Sequence, residues 1–580
     1  MSFVRTTFMT AYRARLYPNY WDILAFLLVL AVITLFALNA KQMTTPYQLG
    51  QVIPISLNPH VLPIYAGRTV IRMLIALVFS LLFTFTFATW AAKSRRAEKL
   101  IIPIIDVLQS VPILGFLSVT VTGFIALFPG SLLGPECAAI FAIFTSQAWN
   151  MALGFYQTVR SVPTEVNEAA KMFHLSAWQR FWRIDVPFSM PGLLWNTMVS
   201  MSAGWFFVVA AEAITVANQQ ILLPGIGSYI AVAIKAANMR AIVYAVLTMF
   251  IVILIYDQLL FRPLVAWAEK FKSEQIGTEK SAQSWVMNLF RRTHLLRHVG
   301  RKINQAYDAF VNIRIFLSSK KVPIVSRLRV RDERLFSFLW NGVFFILGLM
   351  TFVFLGKYIF ENFSFDEMKH VLFLGVITAF RVFILIILCS LFWVPVGVWI
   401  GLRPKVARVI QPIAQLLAAF PANLLYPFIV VFIVTNHLSP NIWLTPLMIL
   451  GAQWYILFNV IAGASTLPKD LLQVVDNLGV MGWLRWSRLL LPGIFPYYIT
   501  GAITAAGGCW NASIVAEVAS WGKETLVATG LGAYITHYTN EGNFPRIALG
   551  IGVMCCLVLI FNRLVWRPLY AYAVNRFLLE

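Results

Sequence analysis

Charge is what this chain has least of. Only 12% of its 580 residues are Asp, Glu, Lys or Arg, against about 25% in an ordinary soluble domain. With 59% hydrophobic residues and a mean hydropathy of +0.75, a soluble architecture is excluded and an integral membrane protein is expected. Acids are the scarcer sign, 24 against 46 Lys and Arg, for a net charge of +22. The basic residues cluster between apolar runs. That distribution suits an anionic leaflet and the positive-inside rule. A nucleic-acid reader would need a soluble basic domain, and none is present, so membrane lipid is the expected partner and nucleic acid is not. Cysteine is rare too. Cys137, Cys389, Cys509, Cys555 and Cys556 all lie in apolar surroundings and form no CxxC pair, so they read as small buried hydrophobes. The seven histidines form no metal-like cluster. A phosphate-cradling loop is missing: Gly522-Lys523 lacks the upstream glycine and is followed by Glu524. No nucleophile–base constellation stands out. The chain is therefore expected to be no enzyme, with no metal site and no cofactor of its own.

Long apolar runs are what the chain has in abundance. A run of roughly 20 residues crosses ~30 Å of hydrocarbon. Such runs fall near 21–40, 69–92, 103–128, 133–156, 191–216 and 241–262, then near 336–357, 373–402, 408–435, 441–462, 496–518 and 545–566. Arg5, Arg13 and Arg15 precede the first run as in a signal peptide. However, that run is too long for a signal h-region and lacks a clear cleavage site, so it reads as a membrane helix. The expectation is an all-α polytopic protein of about 12 transmembrane helices. Residues 1–268 form a first membrane domain, 269–334 a basic cytoplasmic linker and 335–580 a second membrane domain. The basic segment Lys93–Lys99 and the one around Trp178 should face the cytoplasm, with both termini on that side. In the linker, Lys and Arg outnumber acids more than two to one. Its weak amphipathic pattern (Trp285, Met287, Leu289, Phe290) fits either a segment lying on headgroups or a solvated tether.

The two sets of six spans are copies. At a constant offset of 305, Trp178 pairs with Trp483, Arg180 with Arg485, Arg183 with Arg488, Pro187 with Pro492, Pro191 with Pro496, Trp205 with Trp510 and Glu212 with Glu517. Gly225, Gly227 and Tyr229 pair with Gly530, Gly532 and Tyr534 at the same offset. Upstream the offset is 309, pairing Thr69 with Thr378, Arg72 with Arg381, Pro103 with Pro412 and Pro112 with Pro421. Six is even, so the copies run parallel about an axis along the membrane normal.

Each copy places a short basic segment before its fifth span. In the first, Pro163-Thr164-Glu165 starts a helix, and Glu168-Ala169-Ala170 continues it. His174 or Leu175 falls in a turn. Ser176 and Gln179 have capping-box spacing for a second short helix that carries Trp178, Arg180, Phe181 and Arg183 and ends at Val186-Pro187. In the second copy Gln473-Val474-Val475 replaces Glu-Ala-Ala, and Gly479 stands where His174 does, a residue suited to a left-handed helix stop. Docking of a cytosolic partner and simple headgroup anchoring both fit these residues, and the duplication favours a two-fold partner.

The Glu168-Ala169-Ala170 run, the turn six positions after the glutamate and the hydrophobic-Pro pair beyond it resemble the cytoplasmic loop of permease subunits from binding-protein-dependent ABC importers. Pro496-Tyr-Tyr-Ile-Thr-Gly501, Trp510, Val515-Ala-Glu517 and Thr529-Gly-Leu-Gly-Ala-Tyr-Ile535 are similar to the nitrate/sulfonate/taurine/bicarbonate branch. The resemblance implies the type I importer membrane fold in two fused units of a bacterial inner membrane. It implies a separate cytosolic ATPase dimer using ATP and Mg, coupled through Glu168, Ala169, Ala170, His174, Trp178, Arg180, Arg183, Gln473, Gly479, Trp483, Arg485 and Arg488. A periplasmic or lipid-anchored binding protein and a small solute, an anion of that branch's kind, are implied as well. His174 for the usual Gly and Gln473 for Glu are departures, so the two loops need not grip equally. A gradient-driven secondary transporter is the alternative, but it should carry conspicuous polar residues mid-span.

Ionisable residues inside the spans are the remaining candidates. Arg72, Arg381, Asp106, Glu212 and Glu517 could line a translocation path or its outer gate. Arg72 and Arg381 could equally snorkel to phosphates, Glu212 and Glu517 bond backbone at a helix end, and Asp106 face headgroups.

Overall fold

Proline sets where the long helices bend. The structure, a computed structural model, describes residues 20–43, 45–48, 51, 53–216, 219–268, 271, 285–313, 342, 350, 353, 356–358 and 361–577. In the first copy these are α1 (Tyr20–Gln42), α2 (Pro59–Lys93), α3 (Arg95–Ser110), α4 (Ile113–Leu127), α5 (Leu133–Arg160), α6 (Thr164–Met172) and α7 (Ala177–Glu212). The hairpin β1 (Ala213–Val216) and β2 (Gln219–Leu222) follows, then α8 (Ile226–Lys235) and α9 (Met239–Ala268). The linker holds α10 (Trp285–Arg292) and α11 (His294–Val311). The second copy repeats the plan with α12 (Phe365–Gly401), α13 (Pro404–Ala419), α14 (Ala422–Thr435), α15 (Pro440–Met448), α16 (Gln453–Ser465), α17 (Lys469–Asn477) and α18 (Gly482–Ala516). Hairpin β3 (Val518–Trp521) and β4 (Glu524–Val527), α19 (Leu531–Glu541) and α20 (Phe544–Ala573) complete it.

Among the described residues, seven helices are long and apolar enough to cross a membrane, or nine with each bent pair counted as one span. The expected span 336–357 lies almost wholly outside the described residues. Among the described residues the fold is all-α apart from the two short antiparallel hairpins.

Two kinds of proline behave differently. Pro112 and Pro421 break the third span of each copy, and the second break turns the chain by 75°. Pro187, Pro263, Pro492 and Pro568 do not break theirs. Each follows a five-residue π-turn: Phe181–Asp185, Asp257–Phe261, Trp486–Leu490 or Asn562–Trp566. A proline lacks a donor, and its ring crowds the carbonyl four residues back. A widened turn relieves both problems without ending the helix. The expectation that the short basic helix ends at Val186-Pro187 is therefore corrected: it runs on through the π-turn into the fifth span as one helix, α7. The same holds for α18.

Each copy has its own core. One is built around Trp205, Met73, Phe155 and Tyr229, the other around Trp510, Ile456, Leu531 and Ile535. Each core also takes in residues of the other half. Leu424 and Trp521 pack into the first, Leu114 and Phe206 into the second. The first copy carries four more residues than the second between Pro112 and Trp149, which accounts for the offset falling from 309 to 305. There α5 is one unbroken helix, whereas α15 and α16 meet at 43°.

Candidate functional site

At the end of the bundle away from the basic segments, each hairpin is tied to the bundle by an ion pair, fully buried in the first copy and partly buried in the second. Arg72 is fully buried on α2. Its Nε and Nη2 donate to the two carboxylate oxygens of Glu136 at 2.5 and 2.7 Å, and its Nη1 donates to Glu212 at 2.6 Å. Thr69 Oγ1 donates to Glu212 at 2.6 Å, and so does the Gly227 N–H in the first turn of α8. A carboxylate at a helix N-terminus meets the free N–H groups and the positive end of the dipole. The glycines allow this approach. A Cβ on Gly225 would strike the Glu212 carboxylate, and one on Gly227 the Val209 carbonyl.

The second copy builds a lighter version. Arg381 meets Glu517 at 3.3 Å, Thr378 Oγ1 donates to Glu517 at 2.9 Å, and the Ala533 N–H does so at 3.0 Å. Where the first copy has Glu136, the second has Asn441, whose Oδ1 accepts from Arg381 at 3.1 Å and from the Thr529 N–H at 2.7 Å. Buried Arg68 lies within electrostatic reach of Arg72, Glu136 and Glu212. The residue equivalent to Arg68 is Ile377. The first copy thus pairs Arg72 with two carboxylates, whereas the second pairs Arg381 with one carboxylate and one amide. The pairing matters because an unpaired buried charge costs several kcal/mol.

Between the halves lies a cavity of about 160 Å³. A cavity of ~150 Å³ holds benzene, so a solute of that size fits. Its walls come from α3 to α5, α7, α13 to α16 and α18. No Asp, Glu, Lys, Arg or His lines it among the described residues. The polar wall is amide and hydroxyl: Gln109, Asn150, Ser200, Ser202, Thr504 and Asn511. The aromatic wall is Trp149, Phe206, Phe420, Tyr426 and Tyr455. Asn150 is the equivalent of Tyr455, and Phe206 of Asn511. At both pairs of positions one copy supplies an amide and the other a ring. Cross-copy contacts hold this wall. Asn511 Oδ1 accepts from the Ile113 N–H at 2.8 Å, capping α4 just after its proline break. Ser202 donates to the Ala418 carbonyl, and Asn423 donates to the Phe206 carbonyl at 3.3 Å.

At the basic end each copy carries a lever, α6 with the start of α7 and α17 with the start of α18. In the first, His174 sits at φ 52°, and in the second Gly479 at φ 65°. Both levers close in the same way. Leu175 N–H donates to Ala170 O and His174 N–H to Lys171 O. Val480 N–H donates to Val475 O and Gly479 N–H to Asp476 O. These are paired Schellman closures. Ser176 and Gln179 form the expected capping box. Glu168, Gln473 and Arg488 are exposed and Ala170 is buried. Arg485 binds Asp476 at 2.5 Å, and Arg183 binds Asn312 of the linker at 2.9 Å. At this end Tyr156 and Arg160 hold the Glu98 carboxyl below the usual carboxylate range.

Arg72, Glu212, Arg381 and Glu517 are brought together in pairs, and none of them lines the cavity. Arg72 is fully enclosed, so it does not reach out toward headgroups. Asp106 lies on α3, and its side chain is outside the described residues. Sequence reasoning does not single out Glu136, Asn441 or the cavity amides. The signal that finds them is the repeat itself, scanned for equivalent positions whose polarity differs.

The family described as the binding-protein-dependent transport system inner membrane component matches residues 84–262 and again 393–572. Similar curated proteins include the bicarbonate transport system permease protein CmpB of Synechocystis sp., 23% identical over 30% of this chain and 60% of its own length. The nitrate import permease protein NrtB of Leptolyngbya laminosa is 28% identical over 20% of this chain and 38% of its own. The glycine betaine/proline betaine permease ProW of Escherichia coli is 29% identical over 27% of this chain and 43% of its own. The chain thus spans between 38% and 60% of the length of these relatives. With one match on each copy, hairpin, lever and cavity repeated or shared between them, the chain belongs to the family of binding-protein-dependent transport system inner membrane components, carried here as two units in one polypeptide.

Proposed function

We propose that this chain is the permease subunit of an ATP-driven importer of the ABC class, with both membrane units fused and both termini in the cytoplasm of a bacterial inner membrane. One observation carries the reading. Each lever is continuous, through its π-turn, with a helix that lines the central cavity. A displacement of the Trp178 or Trp483 region is delivered along α7 or α18 to Ser200, Ser202 and Phe206, or to Thr504 and Asn511. A cytosolic ATPase dimer, using ATP and Mg, pulls the two levers together. The halves then rock about the cavity and alternate its access. Arg72–Glu212 and Arg381–Glu517 hold the hairpins that shut the outer end, where a periplasmic or lipid-anchored binding protein delivers the solute.

The solute is a small anion of the nitrate, bicarbonate, sulfonate or taurine kind. Neutral N–H and O–H donors such as Asn150 and Asn511 can replace part of its hydration shell, and the +22 charge of the chain draws anions. A second reading, a zwitterion such as a betaine, is favoured by the ring faces of Trp149, Phe206 and Tyr455, which suit a quaternary ammonium. Vesicles carrying the chain and its ATPase separate these readings. Uptake of labelled nitrate, bicarbonate, taurine and glycine betaine is compared with and without internal ATP. ATP-dependent uptake of one solute class, lost in Asn150→Leu and Asn511→Leu, is expected. Uptake that survives ATP depletion and collapses with a protonophore contradicts the importer reading and supports a gradient-driven transporter.

A further inference from the structure

The two levers are equivalent in sequence but not in surroundings. Trp178 is half-buried, and the linker covers it. Its indole N–H donates to the Phe310 carbonyl at 3.0 Å, and its ring meets the Phe310 ring edge-on at 5.0 Å. Trp182, one turn on, contacts Phe310 at 5.5 Å and Tyr307 at 6.3 Å, and the Tyr307 hydroxyl donates to the Trp182 carbonyl at 3.1 Å. Asn312, just past the end of α11, accepts from Arg183 at 2.9 Å and from Gln179 at 3.5 Å. The start of the described linker segment, at α10, is also tied down. Trp285 donates to Gln258 on α9 at 3.2 Å, and Arg292 lies over the Trp21 ring on α1. The linker segment 285–313 is therefore a strap from the membrane body to the first lever, held at both of its ends.

The second lever has no such cover among the described residues. Trp483 is 77% exposed. Beside it lies an open groove of about 560 Å³ lined by Val394, Trp483, Trp486, Phe495 and Tyr498. Ser487 stands where the first copy has Trp182, so the residue that receives the strap is absent there. Both lever tips stay free, at Met172 and Phe173 on one side and at Leu478 and Met481 on the other.

We propose that the linker helix α11 is a brace that stiffens the first lever and withdraws Trp178 from the surface a motor can reach. The two faces offered to the ATPase then differ chemically. One is the apolar tip Met172–Phe173 on a braced lever, the other the wider patch Leu478, Met481 and Trp483 on a free one. Rocking of the first half carries the linker with it, while the second lever turns alone. This rests on the reading in which the levers dock an ATPase.

The test uses the full chain with its native cysteines replaced, reconstituted with its ATPase. A short thiol-specific bifunctional cross-linker should join Gln179→Cys to Asn312→Cys with and without nucleotide. Phe310→Ala should lower solute moved per ATP hydrolysed by about threefold or more. Trp178→Ala should match it, and the double variant should be no worse than either single one. Trp483→Ala should instead weaken ATPase association and add to Phe310→Ala. Failure of the cross-link, or unchanged transport per ATP in Phe310→Ala with the ATPase still bound, overturns the brace. If the wild-type chain binds no ATPase, the lever reading itself fails, and the cross-link still reports whether the linker sits on the first lever.

Discussion

The two halves of the molecule are tied at different places: the second has an ion pair between Arg546 and Glu367 at 2.7 Å where the first has Ala241 and Asn58, and the first has ties that the second lacks. Arg72 is held by two carboxylates inside a fully buried cluster, but Arg381 by one carboxylate and one amide at its edge. Lys93 reaches the buried Asp185 at 2.8 Å, and Arg160 meets Glu98 at 2.7 Å. The equivalent positions in the second half are Leu402 and Leu490, and Ser465 and Ala407. The fourth span is one unbroken helix in the first half and a bent pair in the second. Duplicated units keep the contacts each needs to fold and diverge in the polar ties that set stiffness. In the proposed transport cycle, ties at different places let the two halves yield at different places.

The largest contrast should appear at the buried arginines. Arg72→Ala removes the cation held between two buried carboxylates and should cost about 3–5 kcal/mol of stability. Arg381→Ala removes a cation that meets one carboxylate and should cost about 1–3 kcal/mol. Thermal unfolding in detergent measures both, and equal costs would mean the second cluster is as closed as the first. Next, Asn441→Glu adds a carboxylate that the second half cannot balance. Adding Ile377→Arg rebuilds the charge pattern of the first half and should recover about 2 kcal/mol in a double-mutant cycle. A smaller functional contrast is expected at the levers. Trp483→Asp should weaken ATPase binding by about 2 kcal/mol, as loss of an exposed aromatic anchor does, whereas Trp178→Asp acts by unseating the linker. Titrating detergent-solubilised chain with the ATPase separates the two. The smallest effect is at the lever turns. His174→Gly relieves a left-handed non-glycine residue and should stabilise by about 1 kcal/mol, while Gly479→Ala should destabilise by a similar amount.

The features legible in the amino-acid sequence are those made by residues close along the chain. The Ser176–Gln179 box and the left-handed stops at His174 and Gly479 depend on contacts within a few residues. The repeat offset is visible by alignment alone. The Arg72 cluster is not legible, because Glu136 and Glu212 lie 64 and 140 positions away and only helix packing brings them together. Nor is the cavity, whose wall alternates between copies. Pro187 misleads for a local reason. Proline removes one hydrogen bond, but a π-turn can absorb that loss when the flanking helix is held by packing. The linker's seating on Trp178 depends on a contact across 132 positions, and its basic composition gives no sign of it.

The central claim is that two levers on one face transmit the work of an external motor to a cavity between the halves. ATP-driven uptake into vesicles containing the ATPase, compared between the wild-type chain and Trp178→Asp/Trp483→Asp, tests it most directly. The wild type should accumulate solute only with ATP, and the double variant, inserted at equal levels, should accumulate none. Equal uptake by the two chains would contradict it.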